Sequence, residues 1–250
     1  MEELLKRFLE EIGAVTNIKN SFKNYLKNID EKGAEYVHSA IVLPLKYEYP
    51  NFSKDLQPLL HLLINNPQYY EHVLRNLILT TFNRDLARTL RPFRVQVEQI
   101  HFVYGFRKLP LVDEYKFFPE IQKKLSNFTC VVAGRGEVKM YTRQTVWYCE
   151  KKCTPNMICG STPTCEGCLE TMKECVRFRD MSEQVKLVVF PLEMVQTSKV
   201  GKVYHKFDVI LSDDLANFKV IYGNVYVITG IYDAVKKVFN GWNIVERPDV

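Results

Sequence analysis

All seven cysteines of this chain fall between Cys130 and Cys175, and six of them lie in the stretch Cys149 to Cys175, among Pro155, Gly160, Pro163 and Gly167. The spacing is Cys149-x3-Cys153, eleven residues, then Cys165-x2-Cys168. Two close thiol pairs joined by a short loop can bring four thiolates to one tetrahedral Zn²⁺, each pair forming a tight knuckle. Gly167 is expected to supply the backbone freedom of the second knuckle. The first pair is the looser one, so Cys159 is the alternate ligand should Cys153 not serve. An odd, locally clustered set argues against a secreted disulfide framework. Reduced core cysteines rarely sit in a loop of Pro, Gly and Lys. An iron–sulfur cluster remains a third option, although no C-x3-C-x2-C or C-x2-C-x2-C run is present. A catalytic deaminase zinc would need H-x-E and P-C-x-x-C. None of His38, His61, His72, His101 or His205 is followed by Glu at the second position, and Pro163-Thr164-Cys165 is off by one. A structural zinc is the expectation.

Composition sets the class. The chain has 250 residues, 46% hydrophobic and 25% charged, which excludes global disorder and fits one domain or two small ones. The net charge of +5 permits a nucleic-acid partner without implying one. Apolar runs such as Leu187-Val188-Val189-Phe190 fall far short of the ~20 residues a bilayer span needs. The N-terminus puts Glu2 and Glu3 where a signal peptide wants bases. An intracellular protein with no membrane partner is expected.

The first third repeats apolar residues at helical spacing: Leu4, Leu5, Phe8, Leu9 and Ile12, then Val15, Ile18, Phe22, Tyr25, Leu26 and Ile29, closed by Gly33. A short extended piece over 36–45 meets Pro44, the run from Leu59 to Ile64 reads as helical core, and Asn66-Pro67 caps a further helix. Past Arg91-Pro92 the pattern becomes short strands with turn signals, Arg177–Phe178 among the strand candidates, the signature of a small barrel or sandwich. The predicted class is α+β: a helical subdomain over 1–92, an OB-type β-barrel over 93–148 and 176–250, and a zinc-ribbon insertion over 149–175.

Several chemistries are missing. There is no G-x4-G-K-[ST], no G-x-G-x-x-G, no G-x-S-x-G and no H-E-x-x-H. No enzyme is expected, and Asp213-Asp214 reads as a helix cap. Basic candidates for nucleic acid are Arg135, Lys139 and Arg143 around one strand pair and Lys236-Lys237 in a hairpin, with Tyr141 and Phe239 as stacking partners.

Helices followed by a barrel that a four-cysteine ribbon interrupts resemble the N-terminal domain of the minichromosome maintenance (MCM) proteins. Four ordered segments carry the resemblance: Arg177-Phe178-Arg179-Asp180; Gln184-Val185-Lys186-Leu187; Phe207 to Leu215, with its "DDL" ending; and Tyr222 to Ile231, close to the "GD-x-V-x-V-T-G-I" strand. It is good from about Leu109 to Ile231 and only architectural before that. MCM proteins usually carry Gln-Glu, at the start of a signalling loop, where this chain has Val188-Val189. They usually carry Pro-Arg where it has Tyr204-His205. The ATPase motifs are absent. The chain is thus similar to the diverged, meiosis-type relatives, the MCM-domain-containing protein 2 and fly mei-MCM group. The resemblance implies a nuclear, non-catalytic subunit that acts in meiotic recombination and crossover formation. It would bind DNA, single-stranded and without sequence preference, through Lys236 and Lys237. It would also join other MCM-like subunits, including an ATPase-bearing chain. Two alternatives stay open: a zinc-dependent nucleic-acid enzyme, and an OB-type protein-interaction module without DNA contact.

Overall fold

The structure, a computed structural model, describes residues 2–48, 54–86, 95–107, 124–196 and 205–247. Helices α1 (Glu2–Glu11) and α2 (Ala14–Lys32) turn on Gly13, whose φ of 65° is left-handed. Gly33 ends α2 as expected, its N–H returning to the Ile29 carbonyl at 2.9 Å. Strand β1 (Ile41–Glu48) follows, then α3 (Gln57–Asn65) and α4 (Pro67–Leu86). Asn66 Oδ1 caps α4 by accepting the Tyr69 N–H at 3.2 Å. Strand β2 (Ile100–Arg107) runs parallel to β1, Ile41 opposite Ile100. Ile41, Leu43, Leu45 and Tyr47 point alternately into one core with Phe8, Ile18, Phe22, Leu63 and Leu74. Pro44 is accommodated because β1 pairs with β2 alone.

The rest of the chain runs β3 (Ser126–Arg135), β4 (Lys139–Gln144), β5 (Val146–Tyr148), β6 (Met157–Ile158), β7 (Lys173–Glu174), β8 (Asp180–Pro191), α5 (Leu192–Gln196), β9 (Phe207–Ser212), β10 (Val225–Asp233) and β11 (Val238–Glu246). Strands β3, β8, β9, β11 and β10 pair in that cyclic order, and β3 with β10 closes the ring. Every pairing is antiparallel except β9 with β11. This is a five-stranded Greek-key barrel of OB type. Alternation fills it: Phe128, Cys130 and Val132 from β3 meet Val185, Leu187 and Val189 from β8, with Tyr226, Ile228 and Phe239. Cys130 is fully buried there, away from the other cysteines. Strand β4 lengthens the sheet beside the first half of β8. Strands β6-β5-β7 form the ribbon's own sheet, inserted between β3 and β8 as the sequence suggests.

Four local expectations change. The strand over 100–107, grouped by sequence with the barrel, pairs with β1, because its apolar side, including Ile100 and Phe106, belongs to the helical core. Val146 to Tyr148 sits in the ribbon sheet. Arg177–Phe178 lies in a 3-10 turn, not a strand. Val188-Val189 lies inside β8, not at the start of a loop; Val189 is buried in the barrel, so an apolar residue is required there. The boundary at Arg91-Pro92, together with Leu109 and Tyr204, falls outside the described residues.

Candidate metal centre and nucleic-acid surface

In the ribbon the ligand atoms of Cys149, Cys153, Cys165 and Cys168 all lie within 4.8 Å of one another. Cys149 Sγ and Cys168 Sγ are 3.6 Å apart. Four sulfurs about 2.3 Å from a tetrahedral Zn²⁺ stand roughly 3.8 Å from each other, so this set fits that ion. Each knuckle closes on itself. The Lys152 N–H donates to the Cys149 carbonyl at 2.9 Å and the Leu169 N–H to the Cys165 carbonyl at 2.8 Å. Lys152 (φ 52°) and Leu169 (φ 57°) take the left-handed conformation although neither is glycine, a strain of order 1–3 kcal/mol each that the surroundings must hold. Gly167 is needed for a reason other than backbone freedom, since its φ is not among the positive ones. A Cβ on it would lie 2.7 Å from Cys153 Cβ.

Thr154 Oγ1 sits 3.4 Å from Cys165 Sγ. That hydroxyl, then the Cys168 and Gly167 N–H groups, lower the Cys165 thiol to about 6. Burial pushes Cys153 up. Four thiolates this close need a cation between them. Cys159 is not part of the set: its Sγ points to the Ser161 carbonyl at 2.9 Å, so the alternate-ligand expectation gives way to Cys153. The four sulfurs would fill a tetrahedral coordination shell, which suits a structural ion.

The basic candidates do not form one surface. Lys139 pairs with Gln184, which pairs with Ser212 at the end of β9. Lys237 directly precedes Val238, which pairs with Asp208 near the start of β9. At about 3.3 Å per residue, the two lysine sites stand roughly 13 Å or more apart along the strand. The Arg135 guanidinium donates to the Ala216 carbonyl at 2.8 Å. Arg143 is nearly buried, 2.8 Å from Asp213 and 3.4 Å from Asp180. Phe239 is 2% exposed in the barrel core and cannot stack on a base. The Tyr141 hydroxyl is bound to Asp213 at 3.1 Å.

Lys236 and Lys237 do occupy the predicted hairpin. The turn over 234–237 is exposed, and Asp233 Oδ1 organises it by accepting the Val235 and Lys236 N–H groups, each at 3.0 Å. Lys237 has φ 55°. Val235 at the tip is 93% exposed.

Sequence reading missed the part played by Asp213. Its Oδ1 accepts from Tyr141, Arg143 and the Ser182 hydroxyl, tying β4 and β8 to the end of β9. It is a half-buried hub with φ 59°, not a helix cap. The "DDL" segment and Arg143 were the available signals, but their meeting is tertiary.

A helical subdomain, a closed OB-type barrel and a four-thiol ribbon in the loop between the barrel's first two strands define the class. The chain is similar in fold to the N-terminal domain of an archaeal MCM: the solved structure of that domain superposes with a TM-score of 0.60 at 13% identity, covering 98% of each chain. No protein-family model matches the sequence, and no curated protein matches it. Among the described residues no helix is long and apolar enough to cross a membrane.

Proposed function

We propose that this chain is a non-catalytic DNA-binding and scaffolding module of an MCM-like complex, with the ATPase-like part supplied by another chain. The observation that carries the proposal is the placing of Lys236 and Lys237, fully presented on the β10–β11 hairpin of an OB-type barrel. In OB folds the loops between the first and second and the fourth and fifth strands are oligonucleotide-binding elements. Here these are the ribbon-bearing insertion and that hairpin. Zinc, bound by Cys149, Cys153, Cys165 and Cys168, would fix the shape of the first. The diverged position Tyr204-His205 and the missing ATPase motifs support a meiotic branch, acting in the nucleus in recombination and crossover formation.

Fluorescence anisotropy against single-stranded DNA of mixed sequence tests the DNA contact. Weak, sequence-independent binding is expected, falling with salt. The Lys236→Ala/Lys237→Ala double variant should lower the salt slope by about one unit per lysine, with stability changed by no more than about 0.5 kcal/mol. Equal affinity and slope in the double variant would remove the hairpin from the account. A protein-interaction module is the second reading, favoured because Arg135 and Arg143 are held internally. The purified chain should show no ATP turnover, and affinity purification should recover an ATPase-bearing subunit. Reduced crossover frequency on loss of the protein tests the meiotic assignment.

A further inference from the structure

Between the helical subdomain and the barrel lies a cavity of about 220 Å³ that the DNA-binding proposal does not use. Phe102 and Tyr104 from β2, Tyr141 from β4 and Trp242 from β11 line it with two carboxylates, Glu71 from α4 and Asp213. The rings stand at different pitches: Phe102 and Tyr104 are tilted 48° with centroids 5.9 Å apart, whereas Tyr104 and Trp242 stack at 4.5 Å and 12°. One of these rings already receives a cation, the Arg75 guanidinium lying 5.6 Å from the Phe102 centroid.

We propose that this cavity is a binding site for an alkylated ammonium group, the chemistry shared by a methylated lysine side chain and a choline-type headgroup. Aromatic faces attract a cation through their quadrupole, whereas Glu71 and Asp213 are each paired with a guanidinium, Arg75 at 3.2 Å and Arg143 at 2.8 Å. Most of the carboxylate acceptors are already used. Glu71 Oε1 takes the Tyr104 hydroxyl at 2.9 Å, Glu71 Oε2 takes Arg75 at 3.2 Å, and Asp213 Oδ1 takes its three donors. A primary ammonium would arrive with three N–H donors and find few partners, whereas a quaternary one donates nothing and loses nothing. The volume lies below the ~300 Å³ at which drug-sized pockets begin, which suits a small headgroup.

The chain has two tryptophans, Trp147 and Trp242, so Trp147→Phe leaves Trp242 as the sole reporter. That variant is titrated with choline and with N-acetyl-trimethyllysine methylamide, against 3,3-dimethylbutanol, the neutral isostere of choline, and N-acetyl-lysine methylamide. A saturable change in Trp242 emission with either cation is expected, with the neutral isostere and the unmethylated lysine weaker by about ten-fold or more. Preference for the trimethyllysine compound assigns the source to a methylated protein, and preference for choline to a free headgroup. Phe102→Leu should weaken binding while the melting temperature stays near that of the parent. Equal binding of choline and its neutral isostere, or no response to either cation at millimolar concentration, overturns the proposal.

Discussion

The ribbon and the barrel hold themselves together by different means. Within the ribbon's small cluster Cys149, Cys165 and Met172 are buried, with Trp147, Met157 and Cys168 half covered around them. Its sheet strands are two or three residues long, and salt bridges such as Lys151–Glu170 and Lys173–Glu150 are exposed on both partners, so they contribute little. The barrel has strands of six to twelve residues and a continuous core of Phe128, Val132, Leu187, Leu211, Ile228 and their neighbours. One region has four thiols placed to be closed by an ion. The other is closed by hydrogen bonds between its first and last partners and by buried apolar surface. The difference teaches that loss of the metal and loss of packing should be separable in one molecule, with Trp147 reporting on the ribbon and Trp242, carried by β11 and packed on the helical core, on the seam between barrel and helices.

The largest effect tests this directly. Chelation of the metal, or Cys165→Ser, should abolish the expected one zinc per chain and change Trp147 emission, while Trp242 emission and the barrel's slow amide exchange persist. Wild-type metal content in the Cys165→Ser variant would remove the four-thiol site. The converse break is Gly230→Ala. A Cβ there would meet the Asn240 carbonyl oxygen at 2.1 Å, and this neighbour is backbone of the paired strand and cannot step aside. A loss of roughly 3 kcal/mol or more is expected from urea unfolding followed at Trp242.

Gly167→Ala should be milder, because its clash is with the side chain of Cys153, which can shift at the cost of the coordination geometry. About 1–3 kcal/mol of strain would appear as weaker zinc retention against a competing chelator, with the barrel midpoint unchanged. A shifted barrel midpoint would mean that the two regions fold as one.

The smallest effect lies at the seam. His101 Nε2 is 3.0 Å from Gln144 Oε1, and burial lowers its pKa, opposed by the Gln144 bond; Arg143 and Arg75 lower it further and Asp180 raises it. The unfolded chain then takes up a proton that the folded chain refuses. Stability is complete above about pH 6.5 and falls as the pH drops below that value towards the folded pKa. Urea midpoints between pH 7.5 and 5.5 should decline by a fraction of a kcal/mol more in wild type than in His101→Gln, a difference read at Trp242, beside Tyr104 of the same strand. An identical decline would place the acid sensitivity elsewhere.

Much of the site was legible because its signal is local. Two thiol pairs at ligand spacing point to a shared ion through residues a few positions apart, and the set Cys149, Cys153, Cys165 and Cys168, whose thiols the fold brings together, came from spacing alone. Helical periodicity gave α1 and α2, and Asn66-Pro67 gave the start of α4, since caps and amphipathic faces are written within a few residues. The basic surface was not legible in the same way. Whether an arginine meets solvent or a carboxylate depends on chain segments far away: Arg143 is matched by Asp213, and Phe239 points inward because of its phase along β11.

The amino-acid sequence by itself determined the four-thiol candidate metal set, the helical faces and the presence of a strand-rich second half, all through short-range spacing. Only the tertiary structure decided that β2 leaves the barrel for β1, that Gly167 serves close approach, and that Lys236 and Lys237 stand apart from Lys139. It also decided that aromatic and acidic residues from α4, β2, β4, β11 and the turn after β9 enclose one cavity. Those outcomes depend on pairing and closure between segments far apart in the chain, as Asn243 and Phe106 are at 137 residues, where competing partners of equal local propensity are separated only by what each arrangement buries.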